Sequence, residues 1–214
     1  MADPVKTQSL RTARVLENEE RILRAAHRLF VQQGYRATTL TAVAEEAGVA
    51  SRTVYVRFGT KAAVLKRVID MAVVGDLAPV DVRGRDWYRT ATTAATLAER
   101  IAAFTRGGAR LARSAADVVA VSREAEPTEP LLAEQAHAGR AATYDAVRTF
   151  WTRAQEDGLL PPTCDLAWLV RTTALAAHID TYLLLREMEP GAEEAYETWL
   201  TTTFERALRG ADGG

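Results

Sequence analysis

The stretch Thr39–Lys61, TLTAVAEEAGVASRTVYVRFGTK, decides how this chain is read. Thr39 is a good helix N-cap, because its hydroxyl can accept from a free backbone N–H of the first turn. Leu40, Val43, Ala44 and Ala47 then recur at the spacing of one helical face. Gly48 tolerates the left-handed conformation that ends a helix, and Val49 restarts the apolar pattern. A second short helix follows from about Ser51, with Val54 and Phe58 facing inward and Ser51, Arg52, Thr53, Tyr55 and Arg57 outward. Gly59 stops it, Thr60 can cap the next helix, and Lys61 stands at that helix's start. Two short helices joined by a tight glycine turn make a helix-turn-helix, whose second helix fits a DNA major groove.

The outward face of the second helix has the chemistry for that groove. Hydroxyls on Ser51, Thr53 and Tyr55 and guanidinium groups on Arg52 and Arg57 suit phosphates and base edges. Arg52 is the side chain able to bond guanine in bidentate fashion. Lys61 adds a point charge where free backbone N–H groups already favour an anion, so a phosphate there would meet both. An ordinary helical corner with a solvated polar face would show the same spacing.

The run Arg21–Val68 resembles the N-terminal domain of TetR-family transcriptional repressors. The resemblance rests on RILRAAHRLFVQQGY at 21–35, TTLTAVAEEAGVASRTVY at 38–55 and FGTKAAVL at 58–65. It covers about a quarter of the chain, and the remainder resembles the family only in length and helical character. The resemblance implies that Thr39 and Thr41 contact the DNA backbone at the start of helix 2. It implies further that Ser51, Arg52 and Thr53 face bases, and that Tyr55 and Lys61 grip phosphates. Position 57 is often histidine or tyrosine in the family and is arginine here, which adds a possible phosphate contact. The resemblance also implies that helix 4, from Lys61 to about Val74, joins the DNA-reading domain to the rest. Repression relieved by a small molecule is the family's usual habit.

The totals frame these readings. A chain of 214 residues, 48% hydrophobic and 26% charged, can bury a substantial core. Its net charge of −1 is unevenly spread. Residues 1–75 hold 12 Lys and Arg against 7 Asp and Glu, a net of +5, and the remainder carries −6. The basic part coincides with the helix-turn-helix, as binding to phosphates requires. The single Cys164 excludes an internal disulfide and points to a reducing compartment. No stretch has signal-peptide or membrane-span character, so the expected location is the cytoplasm, without a membrane partner.

The expected domains are a flexible basic arm at 1–17, a DNA-binding domain at 18–75 and a helical effector-binding and dimerisation domain at 76–214. Lys6, Arg11 and Arg14 make the segment either a disordered tail or a basic arm that reaches phosphates or the minor groove. Helix 1 should start near Asn18, bury Ile22, Ala25, Ala26, Leu29 and Phe30, and end at Gly34. His27 falls between those positions and reads as a structural histidine. Val64, Leu65, Val68, Met71 and Ala72 form the inward stripe of helix 4. The linker is Gly75–Arg85.

Beyond Asp86 the pattern is all helix, so the fold class is all-α. Helices are expected over about 91–113, 115–125, 129–157 with Thr128 as cap, 166–188 and 192–209. The last carries Ala195, Tyr196, Trp199, Leu200, Phe204, Ala207 and Leu208 on one stripe. The one before it is apolar around much of its circumference and must be covered on several sides. These two helices from each of two chains are expected to build a four-helix bundle, giving a homodimer. A twofold axis pairs with a palindromic double-stranded DNA operator.

Within this domain the resemblance implies a bound small-molecule effector. Phe104, His137, Tyr144, Trp151, His178 and Tyr182 are the candidate contacts, and a largely apolar or aromatic effector suits them. No catalytic residues are expected. Three histidines and one cysteine provide no metal-ligand spacing, and no phosphate-binding glycine loop is present, so no metal, cofactor or enzymatic activity is anticipated. The rival to a DNA-binding regulator is a helical protein-interaction module that keeps the helix-turn-helix as structure alone.

Overall fold

The computed structural model describes residues 4–74, 82–189 and 191–211, with side chains from residue 15 onward apart from residue 74. Regular structure among them is helical throughout. The elements are α1 (Pro4–Ala37), α2 (Leu40–Glu46), α3 (Ser51–Phe58), α4 (Lys61–Val74), a 3₁₀ turn (Val82–Gly84), α5 (Asp86–Thr93), α6 (Leu97–Ala125), α7 (Pro130–Glu156), α8 (Leu166–Ala177), α9 (Ile179–Met188) and α10 (Ala192–Ala211). They form two compact units. One takes residues up to Ala72 together with Asp117–Glu134; the other takes Val73–Ala116 and Gln135 onward. The end of α6, the start of α7 and the turn between them therefore belong with the N-terminal helices, although the sequence expectation placed 117–134 in the second domain.

In the first unit, α1 buries Ile22, Leu23, Ala25, Ala26 and Phe30 completely or nearly so, while Leu29 is only partly covered. α4 answers with Val64, Leu65 and Val68, all fully buried. Gly34 carries φ +77° and ends the regular helix, a conformation that costs a side-chain-bearing residue energy. The start of α1 differs from expectation. The helix begins at Pro4 rather than near Asn18, so residues 4–17 are helical rather than an arm. Pro at a first turn lacks only an N–H that would be unpaired anyway, and nothing from 5 to 17 breaks a helix. Asn18 accepts from Arg21 through Oδ1 at 3.0 Å instead of capping.

The second unit is built round an aromatic cluster. Phe104 of α6 lies 4.8 Å from Phe150 of α7 and 5.5 Å from Phe204 of α10, ring centre to ring centre, and Trp151 stacks on Phe204 at 5.7 Å. The Trp151 indole donates to Thr173 Oγ1 at 2.8 Å, so its one polar group is satisfied in the core. α10 presents Tyr196, Leu200, Phe204 and Ala207 inward, with Ala195 and Trp199 on the outer side.

Three helix boundaries in this part differ from those expected. The expected 91–113 and 115–125 helices are instead α5, a break at 94–96, and one continuous α6. Thr96 and Glu99 form a reciprocal cap: Glu99 N donates to Thr96 Oγ1 at 3.3 Å, and Thr96 N donates to Glu99 Oε2 at 3.2 Å. The Thr-Leu-Ala-Glu sequence at 96–99 is the capping-box signature that starts α6. Within α6 the Trp87 ring occupies the space a side chain at Gly107 would need. The expected 166–188 helix breaks at His178, whose backbone is extended and whose Nδ1 accepts from Asp180 N at 3.1 Å, capping α9. Finally, Thr128 donates to Ala125 O rather than capping α7, which opens on Pro130.

Candidate nucleic-acid interface

The helix-turn-helix is set by local bonds that its sequence anticipates. Thr39 Oγ1 accepts from Ala42 N at 3.1 Å and starts α2, which buries Leu40, Val43 and Ala44. Gly48 takes φ +63°, while its N–H donates to Glu45 O and the Val49 N–H to Ala44 O, each at 3.0 Å. The chain is thereby turned into α3, which Val54, fully buried, anchors. Gly59 closes α3 at φ +76°, and Thr60 Oγ1 caps α4 by accepting from Ala63 N at 3.1 Å.

What α3 leaves outside is Arg52, Thr53, Tyr55, Val56 and Arg57, with Ser51 partly covered; Thr39 and Thr41 are exposed beside it on α2. Ala50, Arg52, Thr53, Val56 and Arg57 line an open depression of about 560 Å³. Of the sequence candidates, Arg52, Thr53 and Tyr55 thus share one helix surface with Thr39 and Thr41 close by in sequence. Val56 is an apolar residue on this otherwise polar surface, outside the set the residue types suggested. Its angular position on the helix would have found it.

Arg57 has a different employment. Its guanidinium bonds Glu19 of α1, through Nε at 3.0 Å and also through Nη2. Arg67 of α4 donates from Nε to the other carboxylate oxygen at 3.2 Å. Glu19 is only 4% exposed. Burial is the largest influence on its carboxyl and resists ionisation, but the bonds and charges of the two arginines together outweigh it and hold the pKa below the ordinary value. One buried carboxylate therefore pins α3 and α4 to α1, and the half-exposed Arg57 is already paired.

Lys61 is similarly engaged. Its ammonium donates to Tyr35 O at 2.6 Å and Arg36 O at 3.3 Å, and lies 4.2 Å from the centre of the Tyr35 ring. These are carbonyls left open by the turn after Gly34, so the lysine closes the end of α1. Burial lowers its pKa, partly opposed by the charge of Glu129. The Tyr35 hydroxyl donates to Glu129 Oε1 at 2.8 Å, fastening the α6–α7 turn to the same point. Burial first, then Glu129, raises the Tyr35 pKa.

The unit's charge changes the electrostatic argument. Its 117–134 stretch has Arg123 against Asp117, Glu124, Glu126, Glu129 and Glu134, which reduces the +5 of the N-terminal helices to +1. Attraction to a polyanion then depends on where the cations stand, with Arg52 exposed on α3, rather than on a net field.

The effector candidates fall into separate places. Phe104 and Trp151 belong to the aromatic cluster and are covered by it. Tyr182 is buried against the Tyr196 ring, 4.9 Å away. His178 caps α9, while His137 and Tyr144 are exposed on α7. They do not converge on one site. Among the described residues no group of His, Cys, Asp and Glu is placed to hold a metal, and no helix is long and apolar enough to cross a membrane.

Comparison with known proteins gives these features a context. Residues 22–68 match the bacterial regulatory proteins of the tetR family. Three solved structures share the fold over almost the whole chain. MexZ, a repressor responsible for antibiotic resistance in Pseudomonas aeruginosa, is 20% identical, with 92% of this chain and 96% of that one covered and a TM-score of 0.63. SmeT, solved as a complex with triclosan, is 19% identical, with 91% of each chain covered and a TM-score of 0.69. The flavonoid-responsive regulator FrrA is 22% identical, with 91% and 96% covered and a TM-score of 0.63. No curated protein matches the chain.

Proposed function

We propose, for a chain that belongs to the TetR family of transcriptional regulators, that it represses transcription by binding a palindromic operator as a homodimer and leaves it when a small molecule binds. Members of this family are DNA-binding regulators rather than enzymes, often ligand-responsive. The observation that carries the reading is the outer side of α3. Arg52, Thr53 and Tyr55 stand exposed there, their side chains turned to solvent rather than into the core. Ser51, Thr39 and Thr41 extend the same surface. Arg57 and Lys61 serve it by orienting α3 and the start of α4 rather than as principal contacts.

The dimer reading is supported by a set of apolar side chains in the second unit. Trp168 and Leu175 of α8, Leu184 and Met188 of α9, and Trp199 of α10 are all exposed. A monomer gains nothing by presenting them to water. A palindromic operator requires the two α3 helices of such a dimer to stand about one DNA turn apart, near 34–36 Å.

For the effector, we propose Phe104 and Trp151 as the contacts, reached by parting the aromatic cluster; Tyr182, against Tyr196, and His178, at the start of α9, stand apart from it. His137 and Tyr144 lie outside it. An aromatic effector fits, in keeping with the triclosan bound to SmeT and the flavonoid response of FrrA.

Selection of random duplex DNA on the purified protein tests the core of this. The expected result is an enriched palindrome whose affinity falls steeply and linearly on a log–log salt plot, and is lost on adding an aromatic effector. Absence of any enriched sequence at low salt would overturn it.

A further inference from the structure

We propose that Val56 reads a thymine methyl group from the outward side of α3; the proposal rests on the reading of α3 as the DNA-reading helix. Successive helical residues stand about 100° apart, so from the buried Val54 the positions fall at about 100° for Tyr55, 160° for Arg52, 200° for Val56, 260° for Thr53 and 300° for Arg57. Val56 is thus nearly opposite the side that faces the core. The exposures agree: Val54 is fully buried, and Val56, at 76%, is the most exposed of the large apolar side chains among the described residues. Tyr55 and Arg57 lie on the flanks, where the sugar–phosphate strands run when a helix enters a groove. Arg52 and Thr53 bracket Val56 around the depression they line together.

Folding does not account for a valine here. At an exposed helical position alanine, lysine, arginine or glutamate all favour the helix more, because valine loses side-chain freedom against the preceding turn. That same stiffness suits recognition. A β-branched side chain is held in one rotamer on a helix, so contact freezes little more. A hydrocarbon cannot bond the donors and acceptors of base edges, and the apolar group that the major groove offers is the C5 methyl of thymine. Arg52 beside it is matched to guanine O6 and N7. The pair of residues predicts a half-site with a guanine close to a thymine whose methyl is required.

The test replaces each thymine of the selected operator in turn by deoxyuridine, which removes the methyl and leaves every hydrogen-bonding group. Wild type, Val56→Ala and Arg52→Ala are measured on each duplex. The expected result is one symmetric position at which uracil weakens wild-type binding about fourfold per half-site, the worth of one buried methyl. Val56→Ala should bind the thymine operator more weakly and be indifferent to uracil there, while Arg52→Ala should remain sensitive. Sequence-specific binding with no uracil-sensitive position would overturn the role of Val56 and leave the DNA-reading role of α3 standing. Equal uracil sensitivity in wild type and Val56→Ala would assign the methyl to another side chain and overturn it too. Failure to select any operator would overturn the underlying reading, and this inference with it.

Discussion

Arg57 of α3 lies on Glu19 of α1, its Nε 3.0 Å from the carboxylate, so an outward arginine is a fastening of the fold. The same carboxylate takes Arg67 from α4. Glu19 is buried while each arginine remains partly in water, which lowers the cost of the pairing: only one charge has been fully withdrawn from solvent.

Glu19→Gln keeps the shape of this junction and removes its charge. At neutral pH it should cost about 1–3 kcal/mol of stability, discounted for the exposure of both guanidinium groups. Because the folded carboxyl lies below its ordinary value of 4.5, its contribution is present above that pH and fades as the pH falls further. Urea unfolding should therefore show a gap between wild type and variant at pH 7 that narrows below about pH 4.5. An equal gap throughout would mean that the side chain acts by shape.

Lys61→Ala should lower stability by about 1–2 kcal/mol, since it removes two bonds to backbone carbonyls and a cation–ring contact. DNA binding should weaken alike for all sequences. The salt slope, however, should change by clearly less than one phosphate, because the ammonium is held by Tyr35 O and Arg36 O. A drop of about one would place the ammonium on a phosphate instead.

The adjacent glycines of α6 should behave oppositely. A Cβ at Gly107 would fall 2.2 Å from the Trp87 ring, so Gly107→Ala must displace that ring and should cost about 1–3 kcal/mol despite better helix propensity. At Gly108 the nearest atom is Leu200 Cδ2 at 4.0 Å, and Gly108→Ala should gain up to about 1 kcal/mol. Thermal denaturation of the two variants decides it. Destabilisation by both would mean that α6 needs backbone freedom there.

Leu175→Glu tests the dimer without touching the core, since Leu175 is 72% exposed. Sedimentation should show a monomer, and affinity for a full palindrome should fall more than tenfold, roughly the loss of a second linked site. A folded variant that stayed dimeric would move the interface elsewhere.

Much of the helix-turn-helix is legible in the sequence because its signals are local. Thr39, Gly48, Gly59 and Thr60 each act within a few residues, and each does what its type suggests. The Thr96–Glu99 cap is equally local, a Thr-x-x-Glu signature readable four residues at a time. The break at His178 was harder, since a histidine cap competes with an unbroken apolar run and its worth depends on what packs there.

By itself the sequence determined the helical class, the helix-turn-helix and the inward face of α3, because periodicity, caps and left-handed glycines are properties of neighbouring residues. Only the tertiary structure decided what the charged side chains do. Glu19 meets Arg57 across 38 positions, Lys61 meets Tyr35 O across 26, and Tyr35 meets Glu129 across 94. A long cation on an outward face can serve a phosphate or a neighbouring carboxylate equally well. Which partner it has depends on what the fold brings within about 3 Å, and no spacing along the chain encodes that.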